Sequence, residues 1–420
     1  MTYVFQETLQ RFDRIVAGNM TKDILTTKDI LQKCYDFVSD PRVISPQQIE
    51  LAVSLFGGVS PPDNAGPWFT LEGDTYLQFS SNDYLGLAAH PDVRARVVEV
   101  AERYGICSPM GARHMTGTTC DHLELERRVA EFKRCDDAII FASGSMAMMG
   151  MLAALANPRD VLLLDQCAHA SLVCGAKISG ASIVYFRHND IEHLEHLLYK
   201  LARERAAAIV VDGVYSMQGD LAPLAELVEL KNRHQVRLIV DDAHGTGVFG
   251  PEGRGVAAAQ GVEEQVDLHA GTFSKSCGTT GGFVAGNETI IKFLRFNAPT
   301  YLFTKSPPLA VVAATIVALD LVQQADEARK QLWRNARRLQ TGLVNCGFDI
   351  GRTESPITPV RYRGTEALAV AGELRQIHRI WAAPVIFPVV EMGTSVLRLI
   401  PTARHTAEDI DELIESIQSA

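Results

Sequence analysis

Lys275 stands between two serines and ahead of glycines and threonines in HAGTFSKSCGTTGGF, and Asp241 and His244 follow an apolar run in RLIVDDAHGTG. Two more polar residues close apolar runs: His169 in VLLLDQCAHASL and Ser216 in VVDGVYSMQGD. Each alone has an ordinary explanation. A lone lysine is usually a solvated charge, an aspartate after a strand can cap a helix, and a histidine there is commonly a hydrogen-bonded structural residue. Together they offer a specific chemistry. A lysine forms an imine only once its amine is deprotonated, which burial or a neighbouring cation favours. An aspartate can keep a pyridine nitrogen protonated, a histidine can stack on the ring, and hydroxyls with backbone N–H groups can hold a phosphate. These are the needs of pyridoxal 5'-phosphate, with Lys275 as the expected point of attachment.

Sites in open parallel sheets lie at the carboxyl ends of the strands, so the elements that carry these residues matter next. From about Thr70 to Asn287 the short apolar runs YLQFS, AIIFA, VLLLD, SIVYF, AAIVVD, RLIVDD and HAGTF alternate with helix-length segments. Apolar runs without strict alternation predict strands buried on both faces, hence a mainly parallel sheet covered by helices. Beyond about Asn297 the pattern changes to long helices, short strands near ITPVRY and VLRLIP, and a terminal helix after His405. The first 65 residues read as helical pieces, with Phe5, Leu9, Phe12 and Ile15 on one face and Ser45-Pro46 as a cap and first turn, joined to the body by GGVSPPDNAGP. The expected organisation is a helical segment and linker over 1–65, a large α/β domain over 66–296, and a small C-terminal α+β domain over 297–420.

The uncharged stretch from Ala138 to Ala156 approaches the roughly 20 residues that cross a bilayer. Ser143-Gly144-Ser145 interrupts it, so a buried strand, turn and helix is expected and no integral membrane segment. A formal charge of −10 over 420 residues gives no electrostatic footprint for nucleic acid. The eight cysteines are scattered with no close pair, which predicts reduced thiols and no metal centre. The N-terminus, MTYVFQETLQRFDRIV, has early acids and no apolar core of signal-peptide type, so a cytoplasmic location is expected.

Eight ordered motifs tie the chain to a known family: SNDYLGLAAHP from Ser81, RHMTGTTCDHLELE from Arg113, CAHASL around His169, GVYSMQGDLAPL from Gly213, DDAHGTGVFGPEGRG from Asp241, GTFSKS around Lys275, YLFTKSPP from Tyr301 and VIFPVV from Val385. From about Leu71 to the C-terminus the sequence resembles the α-oxoamine synthases, fold-type I pyridoxal-phosphate enzymes that join an amino acid to an acyl thioester with loss of carbon dioxide. The resemblance implies a mainly parallel sheet of the seven-stranded type. It implies a Schiff base on Lys275, Asp241 at the pyridine nitrogen, His244 at the phenolic oxygen and His169 over the ring. Gly144 and Ser145 would present backbone N–H groups to the phosphate, joined by Thr272 and Ser274. Thr304 and Ser306 would reach the phosphate of a neighbouring subunit, which implies a homodimer. Arg398 would pair with the amino-acid carboxylate, and Asn82 and Ser216 would make further contacts near cofactor and substrate.

In two places the chain departs from the family's pattern. Ser145 and Met148 replace an aromatic and an asparagine in SGSMAMMG, and Cys107-Ser108-Pro109 occupies part of a usually glycine-rich loop. The run GTFSKSCGTTGGFV is most similar to bacterial serine palmitoyltransferases, which implies L-serine and a long-chain acyl-CoA, or an acyl carrier protein, as first-choice substrates. Use of alanine or glycine, as in 8-amino-7-oxononanoate synthase or 2-amino-3-ketobutyrate CoA ligase, is the alternative. A different class, an aminotransferase-fold ligand sensor attached to a DNA-binding module, would need a basic recognition helix, and the N-terminal segment has no Lys/Arg cluster.

Overall fold

The structure is a computed structural model and describes residues 66–71, 73–201, 207–387 and 389–420. The helical pieces expected before residue 66 lie outside the described residues. Thirteen strands are present among those described, in chain order β1 (Trp68–Leu71), β2 (Asp74–Gln78), β3 (Asp137–Phe141), β4 (Val161–Asp165), β5 (Ser182–Phe186), β6 (Ala207–Asp212), β7 (Arg237–Asp241), β8 (Leu268–Thr272), β9 (Gly282–Gly286), β10 (Thr358–Arg363), β11 (Ile380–Trp381), β12 (Ala383–Val385) and β13 (Thr394–Leu399).

Seven of them form one sheet in the order β3-β9-β8-β7-β6-β4-β5. The pairs among β4 to β8 are parallel, and β9 alone runs against its neighbours β3 and β8. Both faces of this sheet are buried, which is why its strands read as continuous apolar runs. On one face Val161, Leu163, Ile209, Val211, Leu238 and Val240 pack with helix residues such as Leu194, Leu198 and Leu227. On the other, Leu162, Leu164, Val210 and Ile239 pack with Met148, Met151, Leu172 and Val173. Successive residues of each strand thus alternate between two cores, and each fully buried Val or Leu contributes about 1.5–3 kcal/mol relative to exposure. The stretch Ala138–Ala156 forms β3, a turn and the helix Gly144–Leu155, as its interruption by Ser143-Gly144-Ser145 predicts.

A second core gathers Leu339 and Leu343 from the helix Asp326–Asn345, Val360, Leu397 and Leu399 from the antiparallel sheet β10-β13-β12, and Ile410, Leu413 and Ile417 from the terminal helix. Leu77 and Phe79 belong to it too, because β2 pairs in parallel with β11. The chain leaving β2 is then stitched to the chain leaving β13. Ile400 N donates to Phe79 O (2.7 Å), and Ala403 N donates to Tyr84 O (2.8 Å). This seam delivers Asn82 and Tyr84 from one side and Arg398 from the other to the ends of the large sheet.

The turn after β7 is pinned from behind. Lys133 Nζ spends its three donors on Asp242 Oδ2 (3.1 Å), Thr246 Oγ1 (2.9 Å) and Arg254 O (2.6 Å), all in a buried setting. Removing one partner of such a pair is strongly unfavourable, so the 241–246 turn has one low-energy position.

Candidate active site

The carboxyl ends of the large sheet open onto a cavity of about 310 Å³ lined by Ser143, Gly144, Ser145, Met148, His169, Asp212, Asp241, His244, Thr272, Ser274 and Lys275, with Asn82 at its side. The sequence offers these residues one by one, and the sheet brings them together. Asp212 and Asp241 end neighbouring parallel strands and stand directly opposite each other in register. Asp212 Oδ2 accepts the His169 N–H (2.8 Å), and Asp241 Oδ1 accepts the Ala243 N–H (3.0 Å).

The electrostatics follow from that crowding. Burial lowers the Lys275 amine from 10.5 to about 8; Asp241 and Asp212 pull it back up and Arg398 pushes it further down. Burial raises both carboxylates. The Asp241 charge raises Asp212 further, whereas Lys275 draws Asp241 back down. Two carboxylates at this spacing resist ionising together; Lys275 acts on both, foremost on Asp241, which is therefore the one that holds the negative charge. Burial, then Lys275, lowers His169 to about 4, and burial, Lys275 and Arg398 hold His244 well below 6.5. Both rings are therefore neutral near pH 7.

Their tautomers are set by neighbours. His169 caps the helix Ala170–Ser179: its Nδ1 accepts the Ser171 N–H (3.2 Å) and lies 2.7 Å from Ser171 Oγ, which places the ring proton on Nε2. His244 Nδ1 is 2.7 Å from the buried Tyr84 hydroxyl. Across the cavity the helix Gly144–Leu155 begins, with Ser143 Oγ accepting the Met146 N–H (3.2 Å). The first N–H groups of a helix have no partner within it and attract an anion. Only glycine fits at its first position, because a Cβ on Gly144 would lie 2.8 Å from Thr272 Cβ. Thr272 Oγ1, 2.8 Å from Gly281 O, accepts the Ser274 N–H (3.1 Å), which leaves the exposed Ser274 hydroxyl in the cavity.

Arg398 lies beside this group, buried in β13. Its Nε donates to Ser216 O (2.7 Å), and its Nη2 approaches Asn82 Oδ1 at 3.4 Å. Ser216 thus meets the site through its carbonyl. Thr304 and Ser306 do not line this cavity within the chain: Ser306 Oγ is 2.8 Å from His122 Nε2, and its N–H donates to Gly111 O (3.1 Å). Tyr84 and Asp212 are site residues beyond the sequence expectation. Asp212 carried a signal, since AAIVVD ends as RLIVD does, whereas the Tyr84–His244 contact spans 160 positions and leaves no local trace.

Residues 74–417 match the profile of aminotransferase class I and II. Cysteate-C-fatty acyltransferase of Capnocytophaga ochracea is 39% identical over 361 residues, covering 84% of this chain and 86% of that protein. An 8-amino-7-oxononanoate synthase of Thermoanaerobacter pseudethanolicus is 37% identical over 356 residues, covering 84% and 90%. A serine palmitoyltransferase from S. paucimobilis, solved with PLP and myriocin, superposes with a TM-score of 0.87 at 34% identity and covers 93% of this chain and 98% of that one. The chain belongs to the α-oxoamine synthases. It is a fold-type I enzyme, and its cofactor is pyridoxal 5'-phosphate. The cavity of this synthase fits that group: an amine lowered toward neutrality, an ionised carboxylate across from it, a neutral histidine, and a helix N-terminus with hydroxyls at the far wall.

Proposed function

We propose that this synthase condenses an amino acid with an acyl thioester, releasing carbon dioxide and the thiol, to give an α-amino ketone, with L-serine and a long-chain acyl group as the first-choice substrates. The acyl group would be carried by CoA or a carrier protein. Arg398 carries the reading. It is only 8% exposed, its bonds run to the Ser216 carbonyl and the Asn82 amide, and among the described residues no ion pair involves it. A buried guanidinium held by one carbonyl and one amide is a ready seat for the carboxylate of an amino acid.

Pyridoxal phosphate, when bound, supplies an aldehyde that links to amines and a protonated ring that draws negative charge from the α-carbon. Lys275 would hold it covalently, Asp241 would hold the ring nitrogen's proton, and His169 would cover the ring face. His244, fixed by Tyr84, would donate toward the phenolic oxygen, while Gly144, Ser145, Thr272 and Ser274 would hold the phosphate. Arg398 would orient the amino acid so that its α-hydrogen faces Lys275, and Lys275 Nζ, freed when the incoming amine takes its place on the cofactor, would take that proton. A cleft of about 840 Å³ runs from Met217, next to Ser216, past Phe348, Tyr362, Val389, Val390 and Val396, with Arg361, Arg363, Asp349, Glu366 and Glu391 also on its walls, and offers room for an acyl chain with a polar carrier.

Titrating the holoenzyme with serine, alanine, glycine and cysteate while following the cofactor spectrum, then adding thioesters of graded length, tests the reading. Arg398→Ala is expected to keep the lysine-bound cofactor spectrum and to weaken binding of the amino-acid substrate by about 2–5 kcal/mol, with Arg398→Lys recovering part, since an ammonium lacks the paired donors. An unchanged dissociation constant for every amino acid that binds the wild type would remove Arg398 from the site. The relatives favour a second reading in the same terms: 8-amino-7-oxononanoate synthase similarity supports alanine, and cysteate acyltransferase similarity supports cysteate. The amino acid that alters the spectrum decides among them.

The same reading includes a homodimer, a role in sphingolipid-type metabolism and a cytoplasmic location. The seven cysteines among the described residues are all free, which supports a reducing compartment. Among those residues no single helix is long and apolar enough to cross a membrane. For the dimer, the loops around 105–115 and 296–306 touch through Lys305 Nζ to Cys107 O (2.6 Å) and the rings of His114 and Phe296 (5.3 Å). Together they expose Ile106, Met110, Met115, Phe296 and Phe303, the last 86% accessible. Such a patch beside Thr304 supports a second subunit there. Sedimentation should show a dimer, and Phe303→Asp should shift it toward monomer with loss of cofactor affinity; a wild-type monomer would remove the shared site.

A further inference from the structure

His188 lies in the turn after β5, outside the cavity that Lys275 lines, and both of its ring nitrogens end on carboxylates. Nδ1 is 2.9 Å from Asp165 Oδ1, and Nε2 is 2.7 Å from Asp220 Oδ2. Two carboxylate acceptors call for two donors, so the ring is an imidazolium. Burial opposes that charge, but the bonds to Asp165 and Asp220, with Cys167 beside them, push its pKa up to about 12. Tyr215 packs edge-on against it, with ring centroids 4.4 Å apart. A ring with both nitrogens protonated has no lone pair for a metal, so the close group of Asp165, Cys167 and His188 is not a metal site in this state.

The two carboxylates belong to two different loops that reach the active site. Asp165 ends β4 fully buried, with Oδ1 accepting the Cys167 N–H (2.7 Å) and Oδ2 the Asn189 N–H (2.9 Å). Four residues on, this loop presents His169. Asp220 closes the loop that begins at Tyr215, through Tyr215 N–H to Asp220 O (3.0 Å), and that loop presents the Ser216 carbonyl to Arg398. The loop is also seated from outside: Gly219 has φ of +75°, and a Cβ there would lie 2.3 Å from Thr353 Oγ1. The two loops therefore meet at one ring.

We propose that His188 is a positioning residue, a fixed cation that ties the loop carrying His169 to the loop anchoring Arg398 and so holds the cofactor face and the amino-acid carboxylate seat in register. The second half rests on the reading of Arg398 as that seat; the first half does not. The same two loops also touch where Gln218 Nε2 lies 3.3 Å from Cys167 Sγ, and Asn189 in the His188 turn reaches both carboxylates, its N–H to Asp165 Oδ2 (2.9 Å) and its Nδ2 to Asp220 Oδ2 (3.3 Å); His188 is the charged member of this junction.

His188→Gln tests this in the holoenzyme. The visible circular dichroism of the bound cofactor should change, because it reports the seating of His169. The ratio kcat/KM should fall by between about ten- and a hundredfold, the scale of a small misplacement transmitted to the reacting groups. Borohydride should still fix the cofactor to the Lys275 peptide. His188→Arg, which keeps a cation with several donors, should recover part of the rate. Asp220→Ala cuts only the Ser216 arm and serves if His188→Gln does not fold; it should weaken amino-acid binding and leave the cofactor dichroism in place. A purely structural histidine would give variants with lowered thermal midpoints but wild-type dichroism, amino-acid affinity and kcat in the folded holoenzyme, and that result overturns the proposal. Should Arg398→Ala leave amino-acid affinity unchanged, the dichroism of His188→Gln still decides the first half, and an unaltered signal rejects it.

Discussion

Lys275→Ala should abolish turnover and remove the visible absorbance of lysine-bound cofactor, the largest single loss expected in this protein. Two functions go with one side chain. On the proposed reading the amine is the covalent anchor and also the base that takes the α-proton, a role worth about 10²–10⁴-fold by itself. Burial lowers the amine to about 8, so near neutral pH a useful fraction is deprotonated, whereas an ordinary lysine at 10.5 would be almost wholly charged. Activity carried by the free amine should accordingly fall as pH drops through about 8. Borohydride reduction of the wild-type holoenzyme followed by peptide mapping locates the anchor, and label on any other lysine would overturn the assignment.

Asp241→Asn should leave the fold intact and slow α-proton exchange strongly, on the order of 10²-fold or more, as expected when a charge that stabilises a transition state is removed. An amide cannot hold the ring nitrogen's proton as a carboxylate does, so the bound ring draws charge less well while amino-acid binding through Arg398 changes little. Stability should move the other way. Burial raises the Asp241 pKa above 3.8, so the native state binds this proton more tightly than the unfolded chain does. Stability that the protonated acid retains is lost as pH rises from 3.8 through the raised value, and an amide never incurs that loss. The apo-variant should therefore melt no lower than the apo-wild-type near pH 7. Hydrogen–deuterium exchange at the amino-acid α-carbon is the decisive measurement, and a wild-type rate would dismiss Asp241 from the ring nitrogen.

The large sheet was legible because its strands face two cores. Runs such as VLLLD and RLIVD carry consecutive apolar residues and became strands of that sheet, whereas YLQFS, expected in the same series, contributes to β2 of the separate sheet β1-β2-β11, where it pairs with β1 and with β11 of the C-terminal region. Within the large sheet the strand that escaped notice is β9, GFVAG, whose two glycines give it little intrinsic preference for extended structure. Its place is set by tertiary pairing with β3 and β8. At the site, Lys275, Asp241, His169 and His244 were legible because they punctuate strands. His188 was not. Its meaning comes from Asp165 and Asp220, 23 and 32 residues away, and such pairings leave no periodic trace in a sequence. Arg398 was recognised only through its motif, since nothing in SVLRLI says that its guanidinium lacks an acid. Thr304 and Ser306 lie outside the cavity of their own chain, so their reading rests on the motif YLFTKSPP alone.

The reversed strand also governs when this enzyme can first exist on the ribosome. Ile139 in β3 pairs with Val284 in β9, so β3 has no neighbour in the sheet until the chain has been synthesised past Gly286. The turn carrying Gly144 and Ser145 hangs from the end of β3, and Lys275 lies in the connection that leads into β9. Docking one strand therefore helps to seat the helix start at Gly144 and the segment carrying Lys275 on the same side of the sheet. A nascent chain stopped short of β9 would leave β3 unpaired and would lack Gly282, which lies close against Gly144 at the start of that helix, so the cavity wall would be seated only once the sheet is complete.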